Sequence, residues 1–116
     1  MKTIKVSITG KSIKDLPSKL KKSLLEAYWD SYFRIIGSAH IFAINEYSFR
    51  INSTLVTIIT LDISEESKCD VEVVTGGGSY GIFGFTWGAE EKSNKNALGI
   101  IRDLCAENSL QLKEVG

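Results

Sequence analysis

Histidine, proline and cysteine are scarce in this sequence, which holds one histidine, one proline and two cysteines among 116 residues. His40, Cys69 and Cys105 supply at most three nitrogen or sulfur ligands, so a four-ligand zinc site would need carboxylates or a second chain. A lone histidine also gives no catalytic pair, and a structural role is the simpler interpretation of His40. Both cysteines fall on apolar faces of predicted elements, so we expect buried thiols.

An excess of charge and a long apolar run are missing as well. Fourteen lysines and arginines balance fourteen acidic residues, which argues against a surface for nucleic acid or anionic membrane. No apolar run approaches the roughly 20 residues that cross a bilayer, and the alternating start MKTIKVSITG is unlike a secretory signal. We therefore expect a cytoplasmic protein that binds neither nucleic acid nor membrane, with no cofactor, no metal and no catalytic residue assigned.

The charge is nevertheless uneven along the chain. Residues 1–34 carry eight basic residues against three acidic ones, and residues 35–116 carry six against eleven. Part of the basic excess lies at Lys19, Lys21 and Lys22, on the outer side of a predicted helix. A solvated helix face explains this cluster. The alternative is self-association between the oppositely charged parts of two copies.

Length and periodicity predict a single α+β domain that covers residues 1–116. The predicted strands cover residues 3–9, 39–51, 54–63, 69–75 and 80–87, and the predicted helices cover residues 15–29 and 90–108. Short polar turns between successive strands favour antiparallel neighbours. The order β-α-β-β-β-β-α therefore predicts an antiparallel sheet of about five strands with both helices packed on one face.

The ends of the helices are less clear than their apolar stripes. Asp15 is the expected N-cap of the first helix, with Pro17 in its first turn. Residues 32–38 either finish this helix or form a connector. The tail after residue 108 forms either a short edge strand or a loose end.

Two strands carry apolar residues whose surroundings the sequence predicts. Tyr47, Phe49 and Ile51 alternate with polar residues, which indicates that they point inward. In the strand at 54–63, Val56 and Ile58 make the second face apolar too. We therefore expect a central strand that is covered on both sides over half its length.

The stretch TGGGSYGIFGFTWGAE contains a literal G-x-G-x-x-G at Gly76, Gly78 and Gly81. A dinucleotide fingerprint needs a helix directly after the glycines, whereas here a strand pattern follows. We interpret Gly76 to Gly78 as a hairpin turn with positive φ. Nucleotide binding through this loop remains the weaker alternative.

The segment VVTGGGSYGIFGFTWGAEE, with the strand TLVTIITLDI before it, resembles a family of small bacterial proteins classified only as a domain of unknown function. In that family a strand ends in T-x-G-G-S, an aromatic strand follows, and T-x-G-E opens the last helix. The positions that match are Thr75, Gly77, Gly78, Ser79, Phe83, Phe85, Thr86, Gly88 and Glu90. The residues from Trp87 to Glu91 depart from the pattern. The resemblance implies a shared fold and no activity.

Two hypotheses about function follow from these features. The first is a non-enzymatic association domain that binds a second copy of itself, with an interface at Gly81, Gly84, Phe85 and Trp87. The second is a carrier, because the element order also resembles small helix-grip proteins, which hold an apolar ligand between the sheet and the C-terminal helix. Its predicted ligand-binding residues are His40, Phe83, Phe85, Leu98 and Ile101.

Overall fold

The computed structural model describes residues 2–48, 53–77 and 89–115. In these ranges the chain forms, in order, β1 (Lys2–Thr9), α1 (Leu16–Ala27), β2 (Ser31–Ile36), β3 (Ala39–Ser48), β4 (Ser53–Glu65), β5 (Lys68–Gly77), α2 (Ala89–Glu107) and β6 (Gln111–Glu114). A short 3-10 turn at Ile13–Asp15 leads into α1. No helix in the described ranges is long and apolar enough to cross a membrane.

The strands form one antiparallel sheet in the order β2-β3-β4-β5-β1-β6. Strands β2 to β5 form a meander, and β1 lies between β5 and β6. Strand β2 is therefore one edge of the sheet and the short β6 is the other. This architecture confirms the predicted α+β class.

The core lies between one face of the sheet and both helices. Inward positions of the strands alternate with outward ones, as in β5, where Cys69, Val71 and Val73 are buried. Helix α1 packs against β2 and β3, and α2 packs against β1, β4, β5 and β6. The predicted stripe of α2 is confirmed as buried and consists of Ala97, Leu98, Ile101, Leu104 and Cys105. The helices therefore cover one face, which we call the inner face. No described element packs on the other face of the sheet, which we call the open face.

The structure decides four points about the element ends that the sequence left open or predicted differently. Residues 31–36 form strand β2, and not a helical turn or connector, because they pair along their whole length with β3. Asp15 occupies the N-cap position of α1 but its side chain makes no capping hydrogen bond. The tail is an edge strand, since β6 pairs with β1. Gly76 belongs to β5 rather than to a turn, and Gly77 ends that strand with φ of +83°.

Two predictions about side-chain environment were wrong. Tyr47 is 49% exposed and lies on the open face, because Phe42 and Ile44 set the inward phase of β3. Val56 and Ile58 are 37% and 41% exposed, so β4 is central but the described elements cover it on one side only. The predicted strand at 80–87 lies outside the described residues, and so do Phe49 and Ile51.

Candidate functional site

A groove of about 400 Å³ lies where the start of α1 faces the edge of the sheet. Its walls come from α1, β2 and β3, and His40 lies on its β3 side. The lining consists of Pro17, Ser18, Lys21, Phe33, Arg34, Ile35, His40, Ile41 and Phe42. The groove thus combines an apolar floor with the side-chain nitrogen groups of Lys21 and His40, and its described lining contains no carboxylate. Arg34 borders the groove, but strand alternation places its side chain on the other face of the sheet.

Two aromatic rings organise this groove. Phe33 and Phe42 lie opposite each other on β2 and β3, and their rings meet edge to face with centroids 5.4 Å apart. The ammonium group of Lys21 lies 5.3 Å from the centroid of the Phe33 ring, within the range of a cation–π contact. Such an arrangement suits a small ligand with an apolar body.

A polar network is buried on the inner face, near the start of α2. The hydroxyl groups of Thr57 and Thr75 lie 2.8 Å apart on neighbouring strands, and Thr75 donates a hydrogen bond to the side-chain oxygen of Asn94. Ser93 donates to the Glu46 carboxylate at 3.1 Å. These contacts fix α2 to β3, β4 and β5, because buried polar groups must find partners.

The same region contains a half-buried phenol. Tyr28 follows the last residue of α1, and burial raises its pKa, with a smaller contribution from the nearby Glu46 carboxylate. A raised pKa keeps the phenol protonated at neutral pH. Tyr28 is thus a hydrogen-bond donor here rather than a base.

Both cysteines are buried and unpaired, as predicted. Burial raises the pKa of the Cys69 thiol to about 12, and the carboxylates of Asp70 and Asp62 add to this effect. Burial also raises the pKa of Cys105, although the nearby Arg102 lowers it in part. Nucleophilic chemistry needs the thiolate, so neither residue is suited to it. Among the described residues no three His, Cys, Asp or Glu side chains are grouped as metal ligands.

The structure separates the ligand-binding residues that the sequence predicted. His40 lies in the groove beside α1, whereas Leu98 and Ile101 are 5% and 0% exposed in the core under α2. Side chains fill the sheet–helix interface at these two residues. Phe83 and Phe85 lie outside the described residues, as do the predicted interface residues Gly81, Gly84 and Trp87.

The open face of the sheet carries a second feature, which we call the open-face patch. It consists of the exposed Tyr32, Ile36, Tyr47, Val56 and Ile58 and the half-buried Ile41, Ala43 and Val74. Five of the nine large hydrophobic side chains that are exposed among the described residues lie in this patch. This clustering matters because a contiguous exposed apolar area marks an interaction surface more often than scattered residues do.

Sequence reasoning missed the buried network and the exposure of the patch. One signal for the network was present: Thr57 and Thr75 are polar residues at inward positions of two apolar strands. The patch gave no such signal, because apolar residues on both faces of a strand predict burial on both sides just as well.

Comparisons of the chain with models of protein families, with curated proteins and with solved structures gave no match.

Proposed function

We propose that this protein is a non-enzymatic association domain that binds a second copy of itself through the open face of its sheet. The observation that carries this proposal is the open-face patch. Antiparallel sheets that face water on one side usually carry polar residues there. Here Tyr32 and Ile36 are 59% and 53% exposed on the edge strand, and Val56 and Ile58 continue the apolar surface on β4.

The proposed interface consists of residues other than those that the sequence favoured, which lie outside the described residues. Gly81, Gly84, Phe85 and Trp87 remain predicted contacts, and the open-face patch is an additional surface. The proposed compartment is the cytoplasm, where thiols stay reduced, in line with two unpaired cysteines.

The test is a pair of substitutions at exposed leucine and isoleucine residues. Ile58→Asp places a charge in the middle of the patch, and we expect it to shift the protein to monomers in size-exclusion chromatography with light scattering. Leu25→Asp is the matched control, because Leu25 is 54% exposed on α1, away from the sheet's open face. It should leave the mass of the wild type unchanged. Equal behaviour of the two variants would reject the patch as the interface.

The groove supports a second candidate function, the binding of a small apolar ligand. Its location beside α1 differs from the predicted one beside α2, but it contains His40 and two phenylalanine rings in edge-to-face contact. Native mass spectrometry of gently purified protein should then reveal non-protein mass, which His40→Ala should reduce. A spectrum with only whole multiples of the chain mass would count against this function.

A further inference from the structure

We propose that two copies associate by a two-fold axis that runs parallel to the strands between β3 and β4, so that Arg34 of each copy pairs with Glu72 of the other. This inference rests on the proposed self-association and specifies its geometry. It is carried by the strand register, by the charges on the open face and by the sizes of the side chains there.

The register arranges the open face in rows that cross the sheet. One row contains Tyr32, Ala43, Ile58 and Val74, which lie on β2, β3, β4 and β5 in that order. The adjacent row contains Arg34, Ile41, Thr60 and Glu72 on the same four strands. On β2 and β5, the outer two of these four strands, the second row therefore carries charges of opposite sign. The row continues onto β1 with Lys5.

The two-fold axis places each row of one copy opposite the same row of the other copy, but opposite different strands. Since β3 and β4 are the middle pair of these four strands, an axis between them lays β2 of one copy over β5 of the other. Arg34 then faces Glu72 of the second copy, and the symmetry makes this contact twice. Packed sheets lie about 10 Å apart, a gap that an arginine and a glutamate side chain span together.

The same operation matches large residues with small ones. Ala43 lies over Ile58 of the second copy, and Tyr32 lies over Val74. A small residue opposite a large one lets two facing sheets interdigitate at the density of a protein core. The apolar row thus forms the centre of the interface and the Arg34–Glu72 pairs form its rim.

Among the described residues, Arg34 stands out as an unpaired cation next to the open-face patch. It is the sole lysine or arginine in β2, β3 and β4, and within the described residues it forms no ion pair. A cation at the border of an apolar surface is expected to have an anion opposite it when that surface is covered. The acid on the corresponding strand of the second copy, Glu72, meets this need.

Two other modes of association lead to different expectations. Edge-to-edge pairing of β2 with a second β2 would leave Glu72, three strands away, without a role. A partner of another kind would leave the pure chain monomeric. Only the two-fold arrangement makes Arg34 and Glu72 depend on each other.

The first experiment is a charge-reversal cycle by sedimentation velocity. Arg34→Glu and Glu72→Arg should each weaken the dimer by about tenfold or more, and the double variant should return to within a few fold of the wild type. Lys113→Glu is the matched control, because Lys113 is exposed on β6, which the axis lays over none of these four strands. Circular dichroism checks that each variant is folded.

A cross-linking variant provides an independent measurement. Tyr32 and Val74 are three strands apart, about 14 Å at the spacing of neighbouring strands, which is too far for a disulfide within one chain. In the proposed dimer they face each other across about 10 Å, so Tyr32→Cys combined with Val74→Cys should give a covalent dimer with a bis-maleimide cross-linker that is too short to span the distance within one chain. Either substitution alone should give far less.

The outcomes separate this inference from the proposed function. A dimeric wild type whose single charge reversals keep full affinity, or whose double variant fails to recover, overturns the two-fold arrangement and leaves self-association standing. A wild type that is monomeric at all concentrations overturns both. Recovery in the double variant together with the covalent dimer establishes the arrangement.

Discussion

Buried hydroxyl groups connect the start of α2 to the sheet. Thr57, Thr75 and Asn94 are at most 1% exposed and satisfy one another. A network of this kind is specific because each member loses a partner when another is removed. The network therefore restricts the position of α2 on the sheet more than apolar contacts alone would.

Thr75→Val keeps the shape of the side chain and removes its hydroxyl. Asn94 and Thr57 then lose a partner inside the core, so we expect the free energy of unfolding to fall by about 1–3 kcal/mol. Thr9→Val is the control, since Thr9 is exposed on β1, and it should change stability by less than about 0.5 kcal/mol. Urea unfolding at a fixed protein concentration measures both, and similar losses in the two variants would contradict the role of the network.

The Cys69 thiol makes stability depend on alkaline pH. The unfolded chain loses this proton near the ordinary pKa of 9.0, whereas the folded chain keeps it up to about pH 12. Ionisation of Cys69 therefore leaves the free energy of unfolding unchanged below pH 9. Between pH 9 and about pH 12 it lowers the free energy of unfolding, by up to about 1.4 kcal/mol for each pH unit.

Cys69→Val removes the ionisable group from the same apolar position. From pH 8 to pH 10.5 the wild type should lose more stability than this variant, as measured by urea unfolding at both pH values. Parallel losses in the two proteins would indicate that other groups cause the alkaline decline.

Two glycines differ in the space that surrounding atoms leave for a side chain. Gly10 follows β1 with φ of +151°, and a Cβ there would clash with Cδ2 of Leu110, which leads into β6. Gly99 lies in α2, where a Cβ has nothing within 4 Å. A larger side chain is therefore hindered at residue 10 and has free space at residue 99.

Gly10→Ala and Gly99→Ala should therefore change stability in opposite directions. We expect a loss of about 1–3 kcal/mol at residue 10 from strain and the close contact. At residue 99 we expect a gain of about 0.5–1 kcal/mol from higher helix propensity. Thermal unfolding of both variants decides this, and a stable Gly10→Ala would show that Leu110 moves aside freely.

The strand β2 illustrates what sequence periodicity misses at the level of elements. Residues 32–36 follow α1 after a short connection and have apolar residues at spacings that fit a helix or a strand. Pairing with β3 decides between them, and a long-range contact of this kind is not visible in a local pattern. The strands at 54–63 and 69–75 were predictable because their alternation or β-branched content is continuous.

In the second half of β3, the prediction of which side chains point inward was wrong for a related reason. The alternation of Tyr47, Phe49 and Ile51 with polar residues predicts that Tyr47 points inward. The phase of the strand is fixed by Phe42 and Ile44, which puts Glu46 inward. That position is tolerable because the carboxylate accepts a hydrogen bond from Ser93, a partner 47 residues away along the chain.

At the scale of the whole molecule, the sequence predicts the α+β class and the packing of both helices on one face of the sheet. It does not predict the exposed open-face patch. Amphipathic helices between amphipathic strands leave few alternatives to an α+β sandwich. The open face is different, because a sheet covered by a second copy and a sheet buried inside one chain require the same apolar residues. The expected strand number was close partly by chance, since β2 and β6 were not among the five predicted strands.

Self-association through the open face is the central claim, and sedimentation equilibrium of the wild-type chain tests it most directly. From low micromolar to near-millimolar concentration the average mass should rise from the chain mass of 12.8 kDa to a plateau at twice that value. A plateau at two copies is expected because the two-fold arrangement covers the patch on both. A single species of 12.8 kDa at every concentration would contradict the claim.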